Sequence, residues 1–274
     1  MVPISSSFTV RTANTIPYVA PDEAYSLLKV QLDRLLALLE TLSPEDWSKP
    51  TACTMWNVRD MVAHQAGGYA SGTGYREMIR QYSSPPRRGQ LPEDAVNELQ
   101  VRERAGKSPT DLIAELRAIG PVAIQKWAHQ FRLAKMVTIP HPVGGMFSLR
   151  HLMWVIHSRD TWMHRLDICR ATGRAFEQTA DQDGRIAELV MLDVEKALRR
   201  KLAGKSVLFD LSGIAGGTWK VGNGDPAAEI QMDVLEFNIF ASGRYPLDKA
   251  LTLASLSGDT QLARAALKDL LILF

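Results

Sequence analysis

An aspartate and a histidine four residues apart, Asp160 and His164, are the residues of this chain whose types and spacing best fit a chemical role. They lie in segment 148–173, which has no internal glycine or proline and is predicted to be one helix. Side chains four residues apart stack on the same face of a helix. Met153 and Ile156 fall on the same side, so we expect this polar pair to border apolar surroundings. Buried ionisable groups are costly without a partner, and a divalent metal binds carboxylate and neutral imidazole together.

A third ligand must come from another part of the chain, because zinc sites normally use at least three protein ligands. His64 is the strongest candidate, since it lies among apolar residues on a second helix whose start is marked by Asn57. His129 and His141 are its competitors, and His157 is a candidate for a fourth contact. Two imidazoles and one carboxylate would leave positions open for water or substrate. Such a set suits zinc, ferrous iron or nickel, with zinc as the default.

The same residues also have structural interpretations that spacing alone leaves open. A carboxylate four residues before a histidine is commonly a surface pair, and a single helical histidine is commonly part of a core. Asp167 could accept a hydrogen bond from His164 and orient it, or it could form a local salt bridge with Arg170.

The apolar periodicity divides the chain into a helical part and a later mixed part. Leucines recur at helical spacing from Pro21 to Leu42, and further amphipathic helices are predicted up to about Leu202. Beyond residue 205 short β-rich segments appear, at 206–211, 216–221 and 228–233. The fold class is therefore α followed by α+β. We predict an extended arm at residues 1–20, a helical domain at 21–203 and a small α+β domain at 204–274.

Glycine and proline set several of the predicted element ends. The helix that starts at Asn57 is expected to stop before Gly67, and the helix that starts at Ser108 is expected to kink or break at Gly120–Pro121. The segment 137–147 contains prolines and glycines and is predicted to be a loop. Residues 251–256 are a candidate fourth strand.

Composition narrows the classes of partner. The net charge of +2 is too small to indicate a nucleic-acid partner. The two cysteines, Cys53 and Cys169, are far apart in sequence, which suits a reducing cytoplasm and not a disulfide framework. We find no apolar run long enough for a membrane span, and residues 1–20 lack the pattern of a signal peptide. A cytoplasmic protein without a membrane or nucleic-acid partner is expected.

Two longer motifs resemble a known family. Residues 44–47 (PEDW), 51–53 (TAC) and 56–64 (WNVRDMVAH) resemble the amino-terminal signature of DinB-like proteins, and within them the mycothiol-dependent maleylpyruvate isomerases. The segment 159–168 (RDTWMHRLDI) is similar to the second signature of that family. The resemblance implies a metal-binding four-helix bundle whose ligands correspond to His64, Asp160 and His164. Asp160 stands where these isomerases usually have glutamate.

The carboxyl-terminal part resembles the sterol-carrier-protein-like domain that follows the bundle in these isomerases. The matching residues are 216–219 (GGTW), Gly243–Arg244 and Gly258–Asp259. Arg244 is the candidate for binding a substrate carboxylate, since a guanidinium grips carboxylates bidentately; its alternative role is that of a structural turn residue.

The resemblance implies an enzyme that uses a divalent metal and mycothiol, or another low-molecular-weight thiol, on a small-molecule substrate. In that reaction a thiol adds to a cis double bond conjugated to a carbonyl, the bond rotates, and expulsion of the thiol leaves the trans acid. Two alternatives remain: a transferase that moves the thiol onto an electrophile, and a non-catalytic protein that binds a metal or a small ligand. The sequence is compatible with a monomer or a homodimer.

Overall fold

The computed structural model describes residues 9–131, 133–141, 145–268 and 270–274. Residues 1–8 of the predicted arm lie outside this part of the chain. Contacts divide the chain into two compact units. One is Val19–Glu177; the other joins the residues before Val19 to Gln178–Phe274. The predicted order, a helical region followed by an α/β region with a sheet, is the order found.

The first unit is helical apart from one hairpin. Its helices in the described residues are α1 Pro21–Glu40, α2 Val58–Ser71, α3 Tyr75–Tyr82, α4 Pro92–Glu103, α5 Pro109–Gln125, α6 Leu149–His151 and α7 His157–Thr172. A π-helical turn, Leu152–Ile156, joins α6 to α7, so the predicted run after Ser148 is helical throughout. A second π-helical turn, Lys126–Gln130, follows α5, and short 3-10 turns occur at Pro44–Ser48 and Ala134–Met136.

Four of these helices enclose the core of the unit. α1 packs against α5 and α7, and α2 packs against the same two helices. The leucine stripe of α1 forms one wall of this core, as its period predicts. Its fully buried leucines are Leu27, Leu28, Leu32, Leu35 and Leu39.

Two helices run past the glycines or prolines that were expected to end them. α2 continues through Gly67 to Ser71, because α4 crosses there: a Cβ on Gly67 would lie 2.3 Å from Cβ of Gln100. α5 continues through Pro121 to Gln125. Pro121 is exposed, while the preceding Gly120 packs on Leu32, so the predicted break does not occur. The prediction that α2 stops before Gly67 was wrong, and so was a break at Gly120–Pro121, whereas the alternative of a kink there stays a prediction.

The segment predicted as a loop forms an antiparallel hairpin. Its strands are β2 Thr138–His141 and β3 Gly145–Ser148, and residues 142–144 between them lie outside the described part. Pro140 pairs with Met146. Proline is tolerated here because each strand of a two-stranded hairpin is an edge strand.

The second unit contains a mixed sheet with helices. Within the described residues the sheet has the order β1-β5-β4-β6-β7. Its strands are β1 Arg11–Thr12, β4 Ser206–Ser212, β5 Gly217–Gly222, β6 Pro226–Asp233 and β7 Ser255–Gly258; its helices are α8 Gln182–Leu198, α9 Val234–Ala241, α10 Leu247–Leu253 and α11 Thr260–Lys268. The candidate strand at 251–256 is thus replaced by the end of α10 and the start of β7. Pro246 at the amino-terminal end of α10 favours the helix.

The unit boundary found differs from the expected one at 203–205. α8 belongs with the sheet, because Val190, Val194 and Leu198 pack in the same core as Phe209 and Trp219. Part of the predicted arm also belongs there, since β1 pairs in parallel with β5. The apolar periodicity changes from helical to strand spacing only after α8. It therefore could not show whether this helix packs in the core of the helical unit or in that of the sheet.

Among the described residues, no helix combines the length and apolar character that crossing a membrane requires.

Candidate metal centre

The three residues predicted as metal ligands converge within the helical unit. His64 lies on α2, and Asp160 and His164 lie one turn apart on α7. Nε2 of His64 is 3.4 Å from Oδ2 of Asp160, and Nε2 of His164 is 3.2 Å from Oδ1 of the same carboxylate. One ligand atom from each residue lies within 4.8 Å of the other two. The sequence prediction that these side chains meet agrees with the structure; that they bind a metal stays a prediction.

Local sequence signals hold the two helices in place. Asn57 caps α2, with Oδ1 accepting the backbone N–H of Asp60 at 2.9 Å. Ser148 caps the helical run that leads to α7 and accepts the N–H of His151 at 3.2 Å. Gly173, with φ of 71°, ends α7 in the left-handed conformation that glycine tolerates. His64 therefore lies in the second turn of a capped helix, opposite the middle of a long one.

A chain of buried amides fixes the tautomer of His64. Gln81 donates from Nε2 to the carbonyl oxygen of Gly67 at 3.1 Å, so its Oε1 accepts from Nε2 of Gln100 at 2.7 Å. The remaining oxygen of Gln100 then faces Nδ1 of His64 at 2.7 Å. An amide oxygen only accepts, so Nδ1 carries the proton. Nε2 is the ring nitrogen that faces Asp160, 3.4 Å from Oδ2.

Asp167 holds the proton of His164 on Nδ1, as Gln100 does for His64. Its Oδ2 lies 3.1 Å from Nδ1 of His164, and both side chains are buried. The carboxylate accepts a hydrogen bond from Nδ1–H and leaves Nε2 as the nitrogen that could bind a metal. Of the two roles weighed for Asp167, the structure shows the contact that orients His164.

The carboxylate between the two imidazoles is also positioned. Gln65 donates from Nε2 to Oδ2 of Asp160. Burial opposes ionisation of Asp160, but the neighbouring His164 and His64 hold the pKa of that carboxyl well below its ordinary value. Burial alone would lower the pKa of His164, yet the Asp160 and Asp167 carboxylates raise it to about 9. Without a metal, this centre therefore keeps a carboxylate beside an imidazolium, and a divalent cation would take the place of that proton.

Trp56 adds an aromatic wall to the centre. Its ring centroid lies 4.9 Å from that of His64 and 6.1 Å from that of His164. The two imidazoles meet edge to face, with centroids 5.1 Å apart and planes at 84°. Trp56 is half-buried, so it separates the imidazoles from solvent on its side of the centre.

The spacing of the donors fits a small divalent ion. Tetrahedral zinc with bonds of about 2.0–2.1 Å places its ligand atoms about 3.4 Å apart. With Oδ1 of Asp160 as the shared oxygen, the separations from Nε2 of His164 and from Nε2 of His64 are 3.2 and 3.5 Å, close to this value. Two neutral imidazoles and one carboxylate also match the three-ligand sets of catalytic zinc, which keep a fourth position for substrate.

The other candidate histidines lie elsewhere in the unit. The His129 ring lies 5.8 Å from that of Tyr25, and His141 contacts Glu93 at 2.7 Å. The His157 ring stacks on Trp127 with centroids 4.2 Å apart, and burial lowers the pKa of His157 to about 4. None of these three belongs to a metal-capable cluster of the described residues. His64 was the correct choice among the outside candidates for proximity to the pair.

Arg244 lies in the other unit, in the turn after α9, where its backbone N–H donates to the carbonyl oxygen of Ile239 at 3.2 Å. Its side chain is half-buried. The carboxylate-binding role expected for Arg244 stays a prediction.

Sequence reasoning missed the glutamines that support the centre. Gln65 directly follows His64, and its identity as a neighbour on α2 was a usable signal. Gln81 on α3 and Gln100 on α4 are buried, although nothing in the sequence singled them out. Glutamine is mostly a surface residue, so only the packing of α4 on α2 reveals their role.

Comparison with known proteins agrees with the motifs. Residues 28–169 match the sequence model of a family described as the mycothiol maleylpyruvate isomerase N-terminal domain. This span is just over half of the chain and contains His64, Asp160 and His164. No curated protein matches the chain.

Solved structures with a similar fold include a crystal structure of the mycothiol-dependent maleylpyruvate isomerase in a variant with one histidine replaced by alanine. It aligns over 90% of this chain and 96% of that chain, with a TM-score of 0.57 and 14% identity. A second crystal structure of the mycothiol-dependent maleylpyruvate isomerase aligns over 86% of this chain and 93% of that chain, with a TM-score of 0.56 and 14% identity. At this identity the likeness shows a shared fold, which extends over both the helical and the α/β regions.

Proposed function

The chain belongs to the family of the mycothiol maleylpyruvate isomerase N-terminal domain, and from this membership we propose that it is a metal-dependent enzyme of the maleylpyruvate isomerase type. In this proposal a low-molecular-weight thiol such as mycothiol is the cofactor, and a cis-unsaturated acid is the substrate. One observation supports the metal centre: two imidazoles and one carboxylate place their ligand atoms within 4.8 Å of one another, a spacing that could hold a single divalent ion.

The metal ligands of the proposed centre are His64, Asp160 and His164. When bound, the ion would lower the pKa of a thiol that reaches it and so supply thiolate at neutral pH. The chain's own residues prepare this position. Gln100 and Asp167 keep protons on the two Nδ1 atoms, and Gln65 holds the carboxylate.

The proposed reaction conserves the thiol. The thiolate sulfur forms a bond to a carbon of the cis double bond, and the electron pair of that bond moves onto the conjugated carbonyl oxygen. The former double bond rotates as a single bond. The electron pair then returns, the carbon–sulfur bond breaks, and thiolate and trans acid leave. Arg244, which lies in the other unit, stays our candidate for a carboxylate-binding residue.

A coupled assay tests the proposal. Zinc-loaded protein is incubated with mycothiol and maleylpyruvate, and formation of the trans isomer and the remaining free thiol are both followed. We expect thiol-dependent isomerisation with no net loss of thiol. His64→Ala and His164→Ala should fall to the uncatalysed rate, whereas His129→Ala, a histidine of the same unit outside the cluster, should retain activity.

Two results would count against the proposal. Full activity in His64→Ala would remove the metal centre from the mechanism. Stoichiometric loss of thiol with no trans product would replace isomerisation by transfer of the thiol to an acceptor.

A further inference from the structure

Cys53 lies beside two residues of the proposed centre, His164 and Asp167. Its Sγ, a ring nitrogen of His164 and a carboxylate oxygen of Asp167 all lie within 4.8 Å of one another. The nitrogen of His164 nearest Asp167 is Nδ1, at 3.1 Å. Nε2 of the same ring faces Asp160 at 3.2 Å. With Nδ1 as the ring nitrogen of this cluster, the two nitrogens of the imidazole face two different sets of donors.

The position of Cys53 is fixed by the turn that contains it. The Thr51 hydroxyl accepts the backbone N–H of Cys53 at 3.2 Å and donates to the carbonyl oxygen of Trp56 at 2.8 Å. The Trp56 N–H in turn donates to the carbonyl oxygen of Cys53 at 2.8 Å. Cys53 is half-buried, while His164 and Asp167 are buried. An ion could thus reach this set from the side of the cysteine.

The second set has a different metal preference from the first. It offers thiolate, imidazole and carboxylate, where His64, Asp160 and His164 offer two imidazoles and one carboxylate. Soft cations favour thiolate ligands. A thiolate and a carboxylate together also neutralise a divalent charge, which the single carboxylate of the first set does not.

The shared histidine makes the two sets compete. A neutral imidazole has one nitrogen with a lone pair and one with a proton. Binding an ion through Nε2 keeps the proton on Nδ1, where it bonds to Asp167. Binding an ion through Nδ1 moves the proton to Nε2, where it bonds to Asp160. As long as the ring keeps one proton, only one of the two sets can be complete at a time.

We propose that Cys53, Nδ1 of His164 and Asp167 form a second metal site, selective for thiophilic divalent cations, whose occupation excludes an ion from the first. Cd²⁺ is the probe cation. Its binding would withdraw His164 from the centre that we assign to thiol chemistry. The site stands on the geometry of these three residues and does not require the proposed isomerase activity.

Cadmium titration of the whole protein tests the site. Thiolate bound to Cd²⁺ gives a charge-transfer absorption in the near ultraviolet, and we expect this band in wild-type protein. Cys53→Ser should lose the band and bind Cd²⁺ about 10-fold more weakly or worse. Cys169→Ser is the matched control, because Cys169 is the only other cysteine of the sequence and its Sγ donates to the carbonyl oxygen of Ala175 at 3.5 Å. It should keep the band.

A His64 variant separates this site from the proposed function. His64→Ala removes a ligand of the first set only, so it should lose thiol-dependent isomerisation yet keep the cadmium band. A wild-type protein with the band and no isomerase activity would leave the second site standing. An active enzyme without the band would overturn the second site alone.

Metal analysis tests the competition. Cd²⁺ added to zinc-loaded protein should release about one zinc for each cadmium bound, because a neutral ring offers a lone pair to one set only. Simultaneous binding of both ions would overturn the exclusion. X-ray absorption of the cadmium-loaded wild type needs no variant to fold: a sulfur neighbour is expected, and a shell of nitrogen and oxygen only would refute the site.

Discussion

His64 and His164 each place one ring nitrogen against a fixed hydrogen-bond acceptor and leave the other facing Asp160. For His164 the acceptor is a carboxylate three residues along the same helix. For His64 it is an amide oxygen from α4, and that amide is itself fixed through Gln81 by the backbone of α2. Proton positions, and hence metal affinity, depend on residues that would never touch the ion.

Replacing Gln100 by leucine tests this dependence. The change removes the acceptor at Nδ1 of His64, so the ring no longer keeps its lone pair on Nε2. We expect Zn²⁺ affinity, measured by competition with a chelator, to fall about 10–100-fold. Gln31→Leu is the control: Gln31 is also buried in this unit but accepts from Arg165 instead. Equal zinc affinity in the Gln100 variant and the wild type would contradict the account.

At this scale the sequence was informative about ligands and silent about their supports. Asp160 and His164 are close in sequence, so helical spacing placed them together. His64 was selected by its apolar neighbours and by the family motif. Gln100 lies on an element far along the chain, and glutamine gives no signal of burial, so only the packed structure identifies it.

Close approach of α2 to α4 is what brings Gln100 to His64. The contact occurs at Gly67, where a side chain would overlap Cβ and Cγ of Gln100, while the adjacent Gly68 has nothing within 4 Å of a built Cβ. These neighbouring glycines therefore differ in packing but share one helix.

The pair Gly67→Ala and Gly68→Ala measures this contact. Gly67→Ala should lower the free energy of unfolding by about 1–3 kcal/mol through overpacking, and should also weaken zinc binding by displacing Gln100. Gly68→Ala should be neutral or stabilising by up to about 1 kcal/mol, because alanine favours a helix. Urea unfolding gives the free energy of unfolding of each variant. Equal effects of the two changes would show that the packing of α4 on α2 does not require glycine at position 67.

A pH dependence is expected from His157 on α7. Burial lowers the pKa of His157 from 6.5 to about 4, so between these values the unfolded chain binds more protons than the folded chain. Stability of the metal-free protein should therefore fall as pH falls from about 6.5 toward 4. His157→Phe keeps a ring against Trp127 and removes the titrating group. The loss of unfolding free energy between pH 7 and pH 5 should be smaller in this variant, and an unchanged loss would refute the assignment.

Element types were predicted well where one period dominates, as in α1, α8 and the strands β4, β5 and β6. The failures share a cause. Gly67 looked like a helix end, and Gly120–Pro121 looked like a kink or a break, but α2 packed on α4 and α5 packed on α1 both continue through these positions. The hairpin β2–β3 was hidden because proline and glycine are loop signals and also edge-strand residues.

On the scale of the whole molecule, the division of the chain decides which pieces can fold. The helical unit ends at Glu177, and all three candidate ligands lie inside it. Helix α8 buries Val190, Met191, Val194 and Leu198 in the core of the other unit. A cut at residue 203 would leave this face without its sheet.

Two fragments test the division. Residues 19–177 should be monodisperse by size-exclusion chromatography and should bind about one equivalent of zinc. Residues 21–203 should aggregate, because the apolar face of α8 is exposed. If the longer fragment were the better behaved of the two, the boundary at residues 177–178 would be incorrect.

The order of a helical and an α/β region followed from the change of period, whereas membership of α8 and β1 in the second unit did not. Neither element has a sequence pattern that indicates its packing partner, because α8 is an ordinary amphipathic helix and β1 has only two residues. What each packs against is decided by shape and topology, which a period does not encode.

The central claim is that one divalent ion binds between α2 and α7 of the helical unit. Anomalous diffraction at the zinc edge from zinc-loaded crystals tests it most directly. The account predicts a peak about 2 Å from Nε2 of His64, Nε2 of His164 and an oxygen of Asp160. Zinc-loaded crystals with no peak at that position, or with zinc at Cys53 alone, would contradict it.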